Sequence, residues 1–201
     1  MRNIGALILA AGQSSRLGRP KQLLKFREKS FLRRIVDEAG KAGCNPVTVV
    51  LGSDCEKLAA ELSDTSATIV ENDNWSRGIG TSIRSGLKGA IAAVENLDAV
   101  ILLTCDQPLI DTEIIARLIQ LQSETGKTIV ASAYADTLGV PALFARSCFA
   151  ELLELPDTSG AKSIITSRPD RVAEIPIEAA QTDIDTESDY ERLIRGRSKD
   201  L

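Results

Sequence analysis

Continuous apolar runs recur along the chain and are separated by segments with helical spacing. The first run, Ile4–Leu9, is followed directly by small and polar residues. An apolar run of this length is typical of a strand that is buried on both faces of a parallel sheet. Similar runs predict further strands at residues 47–51, 68–70, 98–103, 128–132, 140–144 and 172–175.

Between these runs, apolar residues recur every three or four positions, which predicts amphipathic helices. Ser30 is a suitable N-cap for the first helix, and Gly43 marks its end. The predicted helices cover residues 30–42, 79–94, 111–123, 147–155, 159–166 and 186–194, with one more beginning at Asp54. This alternation predicts an α/β fold, with a mostly parallel central sheet and helices on both faces. We expect one domain over residues 1–195 and a polar tail over residues 196–201.

A loop rich in small residues and cations follows the first predicted strand. It contains Gly12 and Gly18, with Arg16, Arg19 and Lys21 close to the second glycine. Glycine lets another group lie against the backbone, and the cations supply positive charge for a polyphosphate. The spacing fits neither a Walker A loop nor a dinucleotide-binding fingerprint. The alternative is a cationic turn without a ligand, but ligands bind at the carboxyl ends of strands in open α/β sheets.

Asp106 lies just beyond the strand predicted at residues 98–103. It could instead cap the next helix, but Asp111 is better placed for that role and Pro108 separates Asp106 from the helix. A carboxylate without a capping role at this edge is most simply a ligand of Mg²⁺, which prefers oxygen atoms and substrate phosphates. We therefore predict that Asp106 binds Mg²⁺.

The composition limits the partners and the catalytic side chains that the protein can use. The chain has 201 residues and a net charge of −4, which argues against a nucleic-acid-binding surface. It contains no histidine, so catalysis has to use carboxylates, Lys, Arg, hydroxyls, thiols or a metal bound by oxygen. The four cysteines form no C-x-x-C pair, which predicts reduced thiols without a disulfide framework or a zinc site. With no signal peptide and no apolar run long enough to span a membrane, we expect a soluble, cytoplasmic protein.

The motif L-A-A-G-x-S-x-R-L-G-x-P-K, from Leu9 to Lys21, resembles the signature loop of nucleotidyltransferases that act on molybdopterin and related cofactors. The nearest group by resemblance is the molybdenum cofactor cytidylyltransferases of the MobA-like family. This resemblance implies a Rossmann-like nucleotidyltransferase fold, with antiparallel insertion in the second half. It also implies that Arg16 and Lys21 neutralise the phosphates of a nucleoside triphosphate, and that the loop residues which bind the nucleotide are Leu9, Ala10, Ala11, Gly12, Gly18 and Lys21.

Two further features bear on the nucleotide. Guanylyl-transferring relatives usually have Ala-Gly-Gly where this chain has Ala10-Ala11-Gly12, which favours cytosine as the base. Gly80 and Ser82 match the family's G-x-x-S-S segment, so they either bind the nucleotide or allow close packing of a helix on the sheet. Trp75, the sole tryptophan, is either a core anchor or a platform for the base.

The segment from Thr182 to Thr186 resembles the family's late D-x-D-T motif and would supply the second metal ligand. Asp185 is the predicted ligand and Asp183 the alternative, because alternate residues of an extended segment point to the same side. The segment could also be a solvated acidic lead-in to the last helix, whose start has its own capping box in Thr186 and Asp189.

Two further segments bear on the acceptor. Gly139 to Phe144 resembles a family segment near the acceptor site, but Val140 stands where molybdopterin-specific relatives commonly have a histidine. Lys162 lies in a second matching turn and could meet an acceptor phosphate, although an exposed lysine in a helix's first turn usually has no specific role.

These features predict a Mg²⁺-dependent nucleotidyltransferase with Arg16, Lys21 and Asp106 as catalytic residues. A phosphate-bearing acceptor would attack the α-phosphate of a nucleoside triphosphate, with CTP favoured, and pyrophosphate would leave. By resemblance the acceptor is molybdopterin, and a molybdoenzyme would receive the product. The alternatives are a guanylyl- or sugar-phosphate nucleotidyltransferase with another acceptor, and a non-catalytic module that senses nucleotide or delivers cofactor.

Overall fold

The computed structural model describes residues 3–196 and contains a seven-stranded sheet and a two-stranded hairpin. The strands are β1 (Ile4–Leu9), β2 (Lys25–Phe26), β3 (Lys29–Ser30), β4 (Val47–Leu51), β5 (Thr68–Glu71), β6 (Ala99–Thr104), β7 (Ile129–Tyr134), β8 (Thr137–Ala145) and β9 (Val172–Pro176). The helices are α1 (Phe31–Lys41), α2 (Cys55–Ala60), α3 (Ile79–Ala93), α4 (Thr112–Thr125), α5 (Phe149–Leu153), α6 (Lys162–Ser167) and α7 (Glu187–Gly196).

The strands of the large sheet follow the order β5-β4-β1-β6-β8-β7-β9. Neighbouring strands are parallel, except that β8 runs antiparallel to both β6 and β7. The mostly parallel sheet confirms the predicted fold class, and β8 is the antiparallel insertion that the family resemblance implied.

The apolar run of β1 is buried because helices cover both faces of the sheet. On one face, Ile8 packs in a core with Leu32 and Ile35 of α1. On the other face, Leu7 packs in a second core with Leu87 of α3. Successive side chains of a strand point to opposite faces, so consecutive apolar residues fill both cores.

Two hairpins were not predicted. β7 and β8 extend beyond the predicted strands and meet at Ala135 and Asp136, whose φ angles are 46° and 56°. β2 and β3 meet at Arg27 and Glu28, whose φ angles are 50° and 66°. Neither turn contains glycine, the usual residue at such angles, and β2 and β3 are too short to show an apolar run.

Three predicted helix caps are present. The Ser30 hydroxyl accepts a hydrogen bond from the Arg33 amide (3.0 Å) and caps α1. The Asp111 carboxylate accepts one from the Ile114 amide (2.9 Å) and caps α4. At α7, the Asp189 carboxylate accepts hydrogen bonds from the amide and hydroxyl of the residue three positions earlier, at 2.8 and 2.7 Å.

The predicted starts of α2 and α6 differ in outcome. α2 begins at Cys55, directly after Asp54, which confirms the predicted start, although Asp54 is left-handed (φ 59°) and its side chain makes no capping hydrogen bond. α6 begins at Lys162 rather than at residue 159, because the Ser159 amide donates instead to the Pro156 carbonyl (3.0 Å) and closes a turn.

A third apolar cluster joins the small hairpin to the segment before α7. It contains Leu24, Phe26, Phe31 and Ile184. It therefore holds the end of the loop after β1 and the predicted second acidic segment at the same edge of the sheet.

No helix within residues 3–196 is both long and apolar enough to cross a membrane. Of the predicted polar tail, only Gly196 belongs to the described residues, and it ends α7.

Candidate active site

The candidate site lies at the carboxyl edge of the sheet, where β1 and β6 end side by side. Leu9, the last residue of β1, pairs with Thr104, the last residue of β6. The loop after β1 and the segment that carries Asp106 therefore start at neighbouring positions, which is where open α/β sheets bind ligands.

A cleft of about 240 Å³ opens at this edge. It brings Asp106 together with most of the predicted nucleotide-binding residues: Leu9, Ala10, Ala11, Gly12, Lys21 and Ser82. Trp75, for which a base platform was one of two interpretations, also lines the cleft, and residues without a predicted nucleotide role complete the lining: Gln22, Ile79, Thr104 and Cys105. Gly18, with a φ of 71°, lies instead in a groove on the outer side of the loop.

Gln22 holds the loop from beneath. It is only 1% exposed, and its Nε2 donates to the carbonyls of Ala10 (2.8 Å) and Gly12 (2.9 Å). The Ser14 hydroxyl accepts a hydrogen bond from the Lys21 amide (3.1 Å) and lies 3.4 Å from Gln22 Oε1. Sequence reasoning missed Gln22 because a polar residue beside a lysine looks like an ordinary surface position.

The predicted phosphate-binding cations pair with the predicted metal-binding acids. Lys21 Nζ lies 2.7 Å from Asp106 Oδ2 and 3.0 Å from Asp185 Oδ1. Arg16 Nη2 lies 2.7 Å from the other oxygen of Asp185. The Lys21 side chain is 15% exposed, so its two ion pairs are partly shielded from water. The sequence indicated each of these residues but not that they contact one another.

These ion pairs change the proton affinities of Lys21 and Asp185. Burial by itself lowers the pKa of Lys21, but the charge of Asp106 and hydrogen bonds to both acids outweigh it and raise the pKa above its ordinary value. The hydrogen bond from Lys21 lowers the pKa of Asp185 below its ordinary value. Lys21 and Asp185 are therefore both charged at neutral pH.

Asp183 is in a different electrostatic environment from Asp185. Burial, followed by the charge of Asp106, raises the pKa of Asp183. Within residues 3–196 it forms no ion pair with Lys21, whereas Asp185 does. Between the two acids, Ile184 is buried and its amide donates to the Asp106 carbonyl (3.0 Å), which fixes the segment beside Asp106.

The start of α3 forms the opposite wall of the cleft. Asn72, which is 3% exposed, donates through Nδ2 to the hydroxyls of Thr81 (2.9 Å) and Ser82 (3.0 Å). The Gly80 amide donates to the Asp157 carbonyl (2.8 Å), and a Cβ at Gly80 would collide with the backbone of this loop. Ser82 lines the cleft, whereas Gly80 packs against the loop at Pro156 and Asp157 rather than against the sheet, and its contact with the nucleotide stays a prediction.

Two apolar side chains, Trp75 and Ile79, add an apolar surface to this wall. Trp75 is half-buried and lies so close to Gly52 that no Cβ would fit between them without a shift. Ile79 is 45% exposed and contributes its side chain to the lining of the cleft. No pattern distinguished Ile79 from the core positions of its helix, so sequence reasoning missed it.

The model of the MobA-like NTP transferase domain matches residues 6–172 of the chain. The chain belongs to this family. The match includes the loop after β1 and Asp106 but ends before Asp185. It confirms the family indicated by the loop motif.

Individual relatives resemble the chain to different extents. Nicotine blue oxidoreductase of Paenarthrobacter nicotinovorans is 31% identical over 117 residues, covering 58% of this chain and 55% of that protein. Molybdenum cofactor cytidylyltransferase of Escherichia coli (strain K12) is 24% identical over 191 residues, covering 94% of this chain and 95% of that protein. The match thus spans about half the length of the first relative and almost all of the second.

Crystal structures of a mycobacterial protein share the fold over nearly the whole chain. Rv0371c from Mycobacterium tuberculosis H37Rv has a TM-score of 0.79 and 29% identity, covering 97% of this chain and 99% of that one. A structure of Rv0371c in complex with manganese has a TM-score of 0.74 and 26% identity, covering 96% and 98%.

The predicted acceptor segment of this MobA-like domain lies in β8, beside Gln107. Gln107 is 3% exposed, and its Nε2 donates to the carbonyls of Ala180 (2.7 Å) and Val140 (3.3 Å). The Tyr134 hydroxyl lies against Gly139 and leaves no room for a Cβ there. Val140 therefore presents its carbonyl to Gln107, the residue after Asp106. Lys162 is exposed at the start of α6, and its contact with an acceptor stays a prediction.

The donor set of the cleft suits a hard cation. Within residues 3–196 no group of three or more His, Cys, Asp or Glu side chains forms a metal cage. Asp106 and Asp185 do converge on a single ammonium group, so their oxygens can face one cation. Mg²⁺ usually takes one or two carboxylates and completes its shell with water and substrate phosphates. Cys105 lines the cleft as a neutral thiol, because burial raises its pKa to about 12.

Proposed function

We propose that this protein transfers a nucleotidyl group from a nucleoside triphosphate, with CTP favoured, to a phosphate-bearing acceptor of the molybdopterin type. The observation that carries this proposal is the meeting of Lys21, Asp106 and Asp185 at the mouth of a cleft lined by the loop after β1. Two acids and a cation at this position suit phosphoryl chemistry, which depends on positioning and charge neutralisation.

The residues of the loop hold the triphosphate in this proposal. Arg16 and Lys21 exchange their carboxylate partners for phosphate oxygens, to which they donate charge-assisted hydrogen bonds. An oxygen of the acceptor phosphate then attacks the α-phosphorus, the bond to the bridging oxygen breaks, and pyrophosphate leaves. The acceptor phosphate is already ionised, so the absence of histidine does not obstruct the reaction.

Asp106 and Asp185 would hold Mg²⁺, with Asp183 as the alternative to Asp185. When bound, this ion neutralises phosphate charge and orients the attack. The carboxylate convergence supports the assignment. So does Rv0371c, which was crystallised in complex with manganese.

The donor and the acceptor are inferred from one loop segment and one relative. The Ala10-Ala11-Gly12 segment favours CTP, and the E. coli relative named a molybdenum cofactor cytidylyltransferase favours CTP and a molybdopterin-type acceptor. By the same reasoning, the product would pass to a molybdoenzyme in the cytoplasm. A guanylyl- or sugar-phosphate nucleotidyltransferase is the alternative within this chemistry.

Outside nucleotidyl transfer, the alternative is a non-catalytic nucleotide-binding module. One relative is named for a different chemistry, that of an oxidoreductase. The pairing of Lys21 with both acids favours transfer, because nucleotide sensing alone does not require two carboxylates beside the phosphate loop.

Pyrophosphate release tests the proposal. CTP, GTP and ATP are each supplied with Mg²⁺ and with molybdopterin or a sugar phosphate, and Asp106→Asn serves as the inactive control. We expect release with CTP and molybdopterin that the control lacks. Nucleotide binding without release under any of these conditions would favour the binding module, and preference for GTP would reverse the base assignment.

A further inference from the structure

Several backbone amides of the loop after β1 donate no hydrogen bond within residues 3–196, and two of them belong to peptide units that Gln22 contacts. The N–H groups of Ala11 and Gln13 donate no hydrogen bond within the described residues 3–196. The carbonyls of the same two peptide units belong to Ala10 and Gly12, and both accept hydrogen bonds from Gln22 Nε2. A single buried amide group therefore holds both peptide units.

The geometry of the peptide bond turns this contact into a constraint. In a trans peptide, the C=O and N–H groups point in opposite directions. Within the described residues, the cis peptide bonds are those before Pro46 and Pro141, so both loop peptides are trans. Because Gln22 lies beneath the loop and is 1% exposed, it draws the two carbonyls inward and turns the two N–H groups outward.

We propose that Gln22 is a positioning residue, which orients the amides of Ala11 and Gln13 toward the phosphates of the bound nucleotide. This inference rests on the proposed function for the identity of the ligand. Outward-facing amides are the groups that bind phosphate in anion-binding loops.

The orientation of the Gln22 side chain is itself determined. If its oxygen and nitrogen were exchanged, Oε1 would face two carbonyl oxygens, so only the observed arrangement satisfies both acceptors. Ser14 lies beside Oε1 and also accepts the Lys21 amide, which links this support to the residue that carries the phosphate-binding ammonium.

Gln22→Met tests the proposal, because methionine is unbranched and of similar length but donates no hydrogen bond. Gln122→Met is the matched control. Gln122 is also buried, at 8% exposure, and its Nε2 donates to the Lys127 carbonyl (3.2 Å), away from the cleft. The probes are inorganic tripolyphosphate and cytidine, each titrated with calorimetry and with the fluorescence of Trp75, the sole tryptophan.

We expect Gln22→Met to weaken tripolyphosphate binding by about tenfold or more, because two buried carbonyls lose their donor and the peptides are free to reorient. Cytidine binding should change by less than about twofold, and Gln122→Met should change neither affinity. Equal tripolyphosphate affinity in wild type and Gln22→Met would overturn the inference and leave the proposed function intact. Equal losses for both probes would indicate a general loss of cleft structure and would also overturn it.

A measurement on wild-type protein covers the case in which Gln22→Met does not fold. In an amide-resolved NMR titration with tripolyphosphate, the resonances of Ala11 and Gln13 should shift most among the loop residues. Shifts confined to other amides would overturn the inference. Failure of the wild type to bind either tripolyphosphate or CTP would instead overturn the proposed function.

Discussion

The two sides of the candidate active site are built in different ways. The phosphate-loop side is local in sequence, since its groups lie within residues 10–22 and are held by Ser14 and Gln22 of the same segment. The acid side is assembled from distant parts of the chain, because Lys21 contacts acids that are 85 and 164 residues away.

The difference lies in what fixes each side. The loop is held mainly by hydrogen bonds within residues 10–22, to which the Ser53 amide adds one to the Ala11 carbonyl (3.4 Å). The acids come together only because β6 lies beside β1 and because buried Ile184 ties the last acidic segment to the Asp106 backbone. Single substitutions on the loop side should therefore lower the affinity for phosphate. Single substitutions on the acid side should instead change how activity depends on Mg²⁺ concentration.

Replacing the residue that joins the two sides should have the largest effect. Lys21→Met removes the ammonium that faces both acids and the proposed phosphates. We expect turnover to fall by about 10²–10³-fold, as for the loss of one donor to developing charge. Pyrophosphate release under saturating CTP measures the change.

Lys29→Met is the control for Lys21→Met, because Lys29 pairs with Asp37 outside the cleft. It should keep near-normal turnover. If Lys21→Met did the same under saturating nucleotide, the phosphate role of Lys21 would be wrong.

If Asp106 and Asp185 bind the same ion, the losses of turnover from replacing each of them should not add. We expect Asp106→Asn and Asp185→Asn each to lower turnover by about 10²-fold, and the double variant to be little worse. Asp183→Asn should have a smaller effect, because Asp183 does not share Lys21 with Asp106. Turnover against Mg²⁺ concentration is the measurement. If Asp183→Asn lost most of its activity while Asp185→Asn kept the wild-type dependence on Mg²⁺, the metal ligand would be Asp183 instead.

The sequence predicted the loop side better than the acid side for the same structural reason. The strand, the loop residues and the position of Asp106 at the sheet edge could be inferred from contiguous patterns. The ion pairs of Lys21 could not, because they depend on side-chain geometry across the cleft. The sequence also left open whether Asp183 or Asp185 is the second metal ligand. The contact of Asp185 with Lys21 favours Asp185.

Other residues were missed because their roles appear only after folding. Gln22 and Asn72 are buried polar residues whose hydrogen bonds organise the cleft, but a sequence does not mark which polar residues are buried. Gly80 matched a family motif, yet its amide faces Asp157 and only Ser82 of that pair lines the cleft.

A smaller effect should separate metal binding from nucleotide binding. The ammonium of Lys21 occupies the carboxylate oxygens that would face a divalent ion. Without nucleotide, Lys21→Met should therefore bind Mn²⁺ about tenfold more tightly than wild type, a difference of about 1.4 kcal/mol. Titration followed by electron paramagnetic resonance measures the affinity, and Lys29→Met should resemble wild type. Identical Mn²⁺ affinities in Lys21→Met and wild type would show that Asp106 and Asp185 do not share the ion.

The smallest effect concerns stability, where Asp183 and Asp185 should act with opposite signs. The hydrogen bond from Lys21 lowers the pKa of Asp185, so its charge stabilises the fold above the ordinary pKa of about 3.9 and this contribution is lost as the pH falls. Burial and the charge of Asp106 raise the pKa of Asp183, so its charge destabilises the fold as the pH rises through that raised value.

At pH 7, Asp185→Asn should lower Tm and Asp183→Asn should raise it, with both differences shrinking near pH 3. Asp183 is exposed and the Asp185 side chain is 36% exposed, so solvent screens both charges and each change should stay below about 1 kcal/mol, or about 2–4 °C. Thermal unfolding of the three proteins at both pH values measures this, and shifts of the same sign at pH 7 would contradict the electrostatic difference between the two acids.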